Sequence, residues 1–441
     1  MPVITKKPHV LVVPFPQTGH MVPHLDLTHQ ILLRGATVTV LVTPQTSPYL
    51  DTLRSLHSPE TLKTLTLPFP SHPLIPSGVE TLQQLPLQAL PYMFEALSRL
   101  HDPLVDFISR QPPSDLPDVI LGSSFLSPWI NKVADAFSIK SICFLPINAH
   151  SIYTMWGQED RSFFDELETC TTESYGVVIN TFYELEPEFV ESVKTRYMTH
   201  HRVWTVGPLL PVKAGANRGE QSSIPPEKVS AWLDSCPEDN SVVYIGFGSQ
   251  IRLTAEQTAA LAAALEKSGV RFIWTVRDAA KKVNSVEDDN EDVIPVGFEE
   301  RVKEKGLVIR GWSPQTMILE HRAVGSYLTH MGWGSVLEGM VGCVLLLAWP
   351  MQADHFYNTT LLVDKLRAGI RVGENKDSVP DPDELAKVLA ESVKEDLPER
   401  VRLMKLREKG VEAIKKGGSS YNDLDDLIAE MKISKCGKEN V

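Results

Sequence analysis

Short apolar, β-branched runs alternate with segments of helical apolar spacing through most of this 441-residue chain. The first 45 residues hold one such unit. His9–Pro16 is apolar and β-prone, Thr18–Gly19 punctuates it, and Leu25–Leu33 has helical spacing, with Pro23 where a first helical turn accepts proline. Arg34–Gly35 closes that helix, and Thr37–Thr43 (TVTVLVT) reads as the next strand. Further buried strands are expected at Asp118–Gly122, Ser141–Leu145 and Val177–Asn180, with helices over Leu90–Ser109 and Trp129–Phe137.

The pattern breaks near Gly207-Pro208, and 212–227 (VKAGANRGEQSSIPPE) is polar, aperiodic and rich in Gly, Pro and Ser. It reads as a linker between domains spanning 1–211 and 228–419. The second series has strands at Ser241–Phe247, Arg271–Val276, Leu307–Trp312, Val324–His330 and Val344–Trp349, and helices at Thr254–Lys267 and Ser335–Val341. The acidic insert Asn284–Asp292 reads as a solvated loop. Strands alternating with helices predict an α/β fold in which each half is a parallel, doubly wound sheet. Ligands in such folds bind beyond the carboxyl ends of the strands, here expected in a cleft between the halves.

Composition narrows the function. Apolar residues make up 42% and charged residues 22%, as in a globular protein with sizeable cores. The net charge of −13 and the lack of a dense Lys/Arg stripe argue against a nucleic-acid binder. An anionic ligand must then be held by local dipoles and a few chosen donors. Five scattered cysteines (Cys143, Cys170, Cys236, Cys343, Cys436) form no C-x-x-C pair and no zinc spacing, which suits a reducing compartment. The N-terminal apolar run is too short for a signal-peptide core, and Val341–Pro350 falls far short of the roughly 20 residues that span a bilayer. A cytoplasmic protein without a membrane span is expected.

The most specific chemistry lies in the second half. Trp312 offers a flat apolar face to a base, and Gln315 can donate and accept at a base or ribose edge. His330 ends a strand, and Gly332-Trp333-Gly334-Ser335 opens a helix whose free N–H groups and positive dipole end suit a diphosphate. Glu338 can accept from both ribose hydroxyls, and Ser249, in the turn Gly246-Phe247-Gly248-Ser249, offers a further phosphate contact. Singly, each residue is ordinary. A dinucleotide fingerprint fails at its third glycine, which is Leu337 in one glycine run and Ile251 in the other.

In one register, however, the 44 residues Trp312–His355 resemble the donor-binding signature of the plant family 1 UDP-glycosyltransferases. The resemblance implies the GT-B fold, two facing Rossmann-like domains with an interdomain cleft, and a C-terminal helix over 420–441 that crosses back onto the first domain. It also implies a UDP-sugar as co-substrate, with no other cofactor and no metal. Two departures stand out. Gly334 replaces the family's usual Asn, which removes one phosphate donor and leaves the backbone bare. The signature ends in Asp354-His355, where glucose-using relatives usually end in Gln. Family members ending in His often favour other sugars.

In the first half, Phe15–His20 (FPQTGH) resembles the family's P-x-Q-G-H turn, whose histidine is the catalytic base. A neutral imidazole, with a pKa of about 6.5, takes a proton from a phenol as it attacks. The competing metal reading, His20 with His24, is weak because Pro23 lies between them and Met21 replaces the Glu of H-E-x-x-H. The aspartate that commonly orients this histidine is replaced, by register, by Ser124, so His20 is expected to work alone or with a hydroxyl or water. Pro146 stands where relatives often present a hydroxyl to the sugar 6-OH, and an apolar contact there suits a 6-deoxy sugar. Phe125, Trp129, His150, Met155 and Trp156 are candidates to line the acceptor pocket.

Across the whole chain the resemblance is closest to plant flavonol 7-O-rhamnosyltransferases. It implies inverting transfer of L-rhamnose from UDP-β-L-rhamnose to a flavonol 7-hydroxyl. Transfer of another UDP-sugar to a different phenol, and a UDP-sugar-binding protein or epimerase, stand as alternatives.

Overall fold

The structure is a computed structural model that describes residues 7–158, 165–211, 224–276 and 294–432. The chain forms two compact units, one of Met1–Val212 with Glu412–Val441, the other of Lys213–Val411.

The first unit carries a seven-stranded parallel sheet: β1 (His9–Val13), β2 (Thr37–Val42), β3 (Leu62–Thr66), β4 (Val119–Ser123), β5 (Lys140–Leu145), β6 (Gly176–Ile179) and β7 (Val203–Thr205). Their spatial order is β3-β2-β1-β4-β5-β6-β7. The strands are parallel throughout, with Val10 paired to Val38 on one side and to Val119 on the other. The β-branched runs behave as fully buried strands: four of the five residues of β1 and all of β4 and β5 are buried. Apolar cores lie on both faces. One includes Val10, Leu27, Ile31 and Val38, and the other Leu11, Phe15, Met93 and Ile120.

The second unit repeats the design with six parallel strands: β8 (Val242–Gly246), β9 (Arg271–Val276), β10 (Gly306–Arg310), β11 (Val324–Thr329), β12 (Leu345–Ala348) and β13 (Gly369–Arg371). Their order is β10-β9-β8-β11-β12-β13. In both sheets the order reverses beside the first strand, between β1 and β4 and between β8 and β11. Those are the switch points where doubly wound sheets open a crevice.

Several elements differ from the sequence expectation. The first helix runs over Thr18–Leu33, so Pro23 lies inside it rather than in its first turn, and His20 occupies the first turn instead. The expected helix Leu90–Ser109 is two helices, Leu90–Ser98 and His101–Ser109, parted at Arg99-Leu100, where Leu100 turns into the core. The short strands β3, β7 and β13 had no counterpart in the expected elements. Of the polar run, 212–223 lies outside the described residues, as does the acidic insert, and Pro226–Asp234 is already helical.

The helix Ser419–Lys432 belongs to the first unit. Leu424, Leu427, Ile428 and Met431 join the core on one face of the first sheet, where the helix packs against β7. Its polar face is tied to neighbouring elements at several points. Asp423 Oδ2 accepts from Thr205 N at 2.7 Å and Thr205 Oγ1 at 2.9 Å, and Trp204 Nε1 donates to Asp426 Oδ2 at 2.8 Å. Arg34 Nε donates to Asp425 Oδ1 at 2.7 Å, and Tyr175 OH to Glu430 Oε2 at 2.6 Å. Among the described residues no helix is long and apolar enough to cross a membrane.

Candidate active site

In the first unit the candidate base stands just beyond the carboxyl end of β1. Phe15 N-terminal to it is fully buried, and Gln17 caps the helix with extended backbone, its carbonyl accepting from His20 N and Met21 N. The His20 ring keeps some exposed surface but lies between Phe15, edge-on at 5.6 Å, and Phe125, tilted at 4.4 Å. This apolar enclosure, with a lesser contribution from His24, pushes the imidazole down from its ordinary value to about 3. The positive end of the helix also disfavours an imidazolium there.

The hydroxyl that reaches His20 is Ser123, 3.3 Å from Nδ1, and not Ser124. Ser123 is the last residue of β4, whereas Ser124 opens the short 3₁₀ turn Ser124–Leu126 and its carbonyl accepts from Ser127 Oγ at 2.8 Å. If Nδ1–H donates to Ser123, the Nε2 lone pair is the one left for a substrate proton. His24, one turn on, is buried, and its Nδ1 donates to the His20 carbonyl at 2.8 Å while the ring packs edge-on against Phe144. The helix is continuous through Pro23, so the proline does not separate the two histidines as expected. His24 is instead fixed by its bond to the backbone and its place in the core. Among the described residues no three or more His, Cys, Asp or Glu side chains are grouped to hold a metal.

Pro146 follows β5 in a turn held from behind. Asn148 Oδ1 caps the helix Ala149–Trp156 through Ser151 N at 2.6 Å. The buried Glu186 carboxyl accepts from Ala149 N at 3.0 Å, His150 N at 2.7 Å and the Thr181 hydroxyl, and burial pushes it up to about 7. Of the expected acceptor residues, Phe125 lies against His20 and Met155 is part-exposed. Trp129 is instead buried in the core with Leu126 and Ile130, His150 packs against Phe189, and Trp156 against Tyr197. Their rings serve packing inside the unit, which aromatic residues near strand ends do as readily as binding.

In the second unit the candidate donor residues follow the carboxyl ends of β8, β10, β11 and β12. Ser249 lies in the turn after β8, and Gln250 of the same turn accepts from Gln352 Nε2 at 3.3 Å. His330 follows β11, its ring seated against two glycines. A Cβ at Gly248, whose φ is +69°, would stand 2.5 Å from the ring, and one at Gly332 would stand 2.5 Å from Nε2. Both positions therefore require glycine if His330 is to keep its place. Met331 between them takes the left-handed φ of +68°.

The helix Trp333–Val341 begins there with Gly332 as an extended N-cap and no side-chain cap. The Trp333 indole is buried, so a donor can meet that residue only through its main chain. Gly334 is exposed, and a Cβ there would meet nothing within 4 Å. Trp312 keeps exposed surface. Gln315 is fully engaged: Nε2 donates to Glu338 Oε2 at 2.6 Å and Ser335 Oγ at 3.2 Å, and Oε1 accepts from Tyr327 OH at 2.9 Å and Tyr244 OH at 3.3 Å.

Asp354 and His355 start the helix His355–Thr359. The His355 Nδ1 accepts from Gln352 N at 3.2 Å, which places the proton on Nε2 and makes that atom a donor. Burial holds the ring down at about 3, hence neutral, and it meets His330 edge-on at 4.7 Å. Burial raises Asp354 to about 6. Sequence reasoning missed Asn358, fully buried one turn later. Its Nδ2 donates at 2.8 Å to both Asp354 Oδ2 and the Met331 carbonyl, tying the candidate sugar-binding carboxylate to the candidate phosphate turn. The i, i+4 spacing on a helix was the available signal.

Residues 164–398 match the model of the UDP-glucoronosyl and UDP-glucosyl transferase family. The chain belongs to that family, and its two doubly wound sheets are the family's GT-B architecture. It is 83% identical to a flavonol 7-O-rhamnosyltransferase of Arabidopsis thaliana over 428 residues, covering 97% of this chain and 98% of that protein. It is 42% identical to a flavonol 3-O-glucosyltransferase, UGT89B1, of the same plant, covering 96% of each. The crystal structure of Arabidopsis thaliana UGT89C1 complexed with UDP-L-rhamnose superimposes with a TM-score of 0.92 at 81% identity, covering 97% of this chain and all of that one. The same enzyme complexed with quercetin superimposes with a TM-score of 0.90 at 79% identity and the same coverage.

Proposed function

We propose that this glycosyltransferase transfers L-rhamnose from UDP-β-L-rhamnose to the 7-hydroxyl of flavonols, with inversion. The observation that carries this is the 83% identity to a flavonol 7-O-rhamnosyltransferase across nearly the whole of both chains. The local chemistry accords with it. His20 takes the 7-hydroxyl proton on Nε2, with Nδ1–H resting on Ser123. The phenolate oxygen forms the new bond to C1 of rhamnose from the face opposite UDP, the C1–O bond to phosphate breaks, and the product is an α-L-rhamnoside. The departing diphosphate would be held by the N-terminus of helix Trp333–Val341, by Ser249 and Ser335, and by His330. Trp312 would stack on uracil and Glu338 would hold ribose. For the sugar, Asp354 supplies an acceptor and His355 Nε2–H a donor, while Pro146 offers no donor and suits the methyl group of a 6-deoxy sugar. No metal enters this scheme, so turnover should survive a chelator.

The test incubates purified protein with kaempferol and, separately, UDP-rhamnose, UDP-glucose, UDP-galactose and UDP-xylose, with products read by mass spectrometry and NMR. A deoxyhexose on the 7-oxygen, formed from UDP-rhamnose alone, is expected. A hexose adduct would overturn the roles of Asp354, His355 and Pro146. Donor consumption without acceptor transfer would overturn the transferase reading.

A further inference from the structure

Tyr244 and Tyr327 are direct cross-strand partners on β8 and β11, the two strands that flank the switch point of the second unit. Both are buried, and their rings stack at 4.8 Å with an interplanar angle of 28°. Each hydroxyl donates to the same atom, Gln315 Oε1. The Tyr244 oxygen in turn receives the Ser313 hydroxyl at 2.8 Å and the Thr275 hydroxyl at 3.4 Å. Burial pushes Tyr244 up to about 12 and Tyr327 well above the ordinary phenol value, so both stay protonated donors at any physiological pH.

An amide has one acceptor end and one donor end, and here the ends face opposite demands. With two phenols aimed at Oε1, the amide must turn Nε2 toward Glu338 and Ser335, the orientation found. Rotated by half a turn, Oε1 would face the Glu338 carboxylate, two acceptors with no proton between them. The phenols therefore choose the amide orientation, and the amide holds the carboxylate.

We infer that Tyr244 and Tyr327 are positioning residues for nucleotide recognition, which fix the Gln315 amide and, through it, the Glu338 carboxylate that reads the ribose hydroxyls. The inference rests on Glu338 being the ribose acceptor, and it is independent of which sugar the donor carries. It extends the ribose site inward from the signature to a pair of buried strand residues.

Removing one hydroxyl while keeping its ring isolates the effect. Calorimetric titration of the full-length protein, as wild type, Tyr327→Phe and Tyr244→Phe, uses UDP and 2′-deoxy-UDP as probes. The phenylalanine variants should bind UDP about three- to tenfold more weakly, as befits the loss of one net hydrogen bond, and 2′-deoxy-UDP should weaken less. The preference for ribose thus narrows. In a Glu338→Ala background, Tyr327→Phe should change UDP affinity by less than about twofold, because the two substitutions act on one contact. Equal weakening of both nucleotides, or full additivity with Glu338→Ala, would show a merely structural role and overturn the inference. Should one variant fail to fold, the other carries the same comparison. A wild type that prefers UDP to 2′-deoxy-UDP yet forms no rhamnoside would sink the proposed donor and leave this inference standing. A wild type with no such preference would sink the inference together with the ribose role of Glu338, and leave the transfer reaction standing.

Discussion

His20 is kept neutral, and so free to accept a proton, by apolar surroundings that also weaken it as a base. Replacing it with alanine should lower kcat by about 10²–10⁴-fold, the usual worth of a positioned general base. The Ser123 contact is long and joins two neutral groups, so Ser123→Ala should cost only about two- to fivefold and Ser124→Ala nothing measurable. Equal losses in His20→Ala and Ser123→Ala would refute the assignment. The acid limb of the pH profile belongs elsewhere. Asp354, raised to about 6, takes up a proton as pH falls through that value and loses its capacity to accept from sugar hydroxyls. Donor kcat/KM should therefore fall below about pH 6, and Asp354→Asn should abolish that limb, while His20, held near 3, stays unprotonated throughout. Gly334 offers the opposite opportunity. Open space around its Cβ position lets Gly334→Asn restore a side-chain donor beside the helix N-terminus, with UDP binding tightened about three- to tenfold in a calorimetric titration. His20, Asp354 and His355 were legible in the sequence because motif and spacing carry them. Ser123 was not, because which of two consecutive serines faces His20 depends on where β4 stops and its 3₁₀ turn begins.

At the scale of elements, long strands with buried β-branched residues on both sides were readable, and short ones were not. β7 and β13 have three residues each, too few to show any period, and β3 is largely exposed at a sheet edge, so its LKTLT pattern resembles a loop. The first helix begins ahead of Pro23, which its residue type alone would place in a first turn. The start at Thr18 puts His20 in the first turn, on helical backbone rather than in a loop. The helix Ser419–Lys432 is a different case, an element whose packing on the first domain was expected from the family resemblance and not from its own residues. Its Leu427 is fully buried in the first unit's core. Leu427→Ala should destabilise the protein by about 2–5 kcal/mol, measured by denaturant unfolding, and most of that loss should appear as faster amide exchange in β7 and in the helix itself. An effect confined to the second unit would contradict this packing.

Taken whole, the molecule uses one plan twice. In each sheet candidate residues gather at the carboxyl ends of the strands that flank the reversal of order: His20 in the helix after β1, Ser123 at the end of β4, and Ser249 and His330 after β8 and β11. A net charge of −13 supplies no general attraction for UDP, so its affinity must come from local dipoles and a handful of donors in the second unit. UDP at one hundred times its dissociation constant should stabilise the elements that bind it by about 2.7 kcal/mol. Hydrogen exchange should register this at β8, β11 and helix Trp333–Val341, with β2 and β3 little changed. Uniform protection of both units would count against a binding site built within the second. The Ser419–Lys432 helix has a consequence for the chain as it leaves the ribosome. The first unit lacks the layer formed by Leu424, Leu427, Ile428 and Met431 until the whole of Lys213–Val411 has been translated. At about 5–20 residues per second that interval lasts roughly 10–40 s, during which the apolar face that this layer covers, Trp204 and Val206 included, is bare in the nascent polypeptide. The first unit to be synthesised is thus the last to close, and the burden of keeping it from aggregating falls on chaperones during that interval.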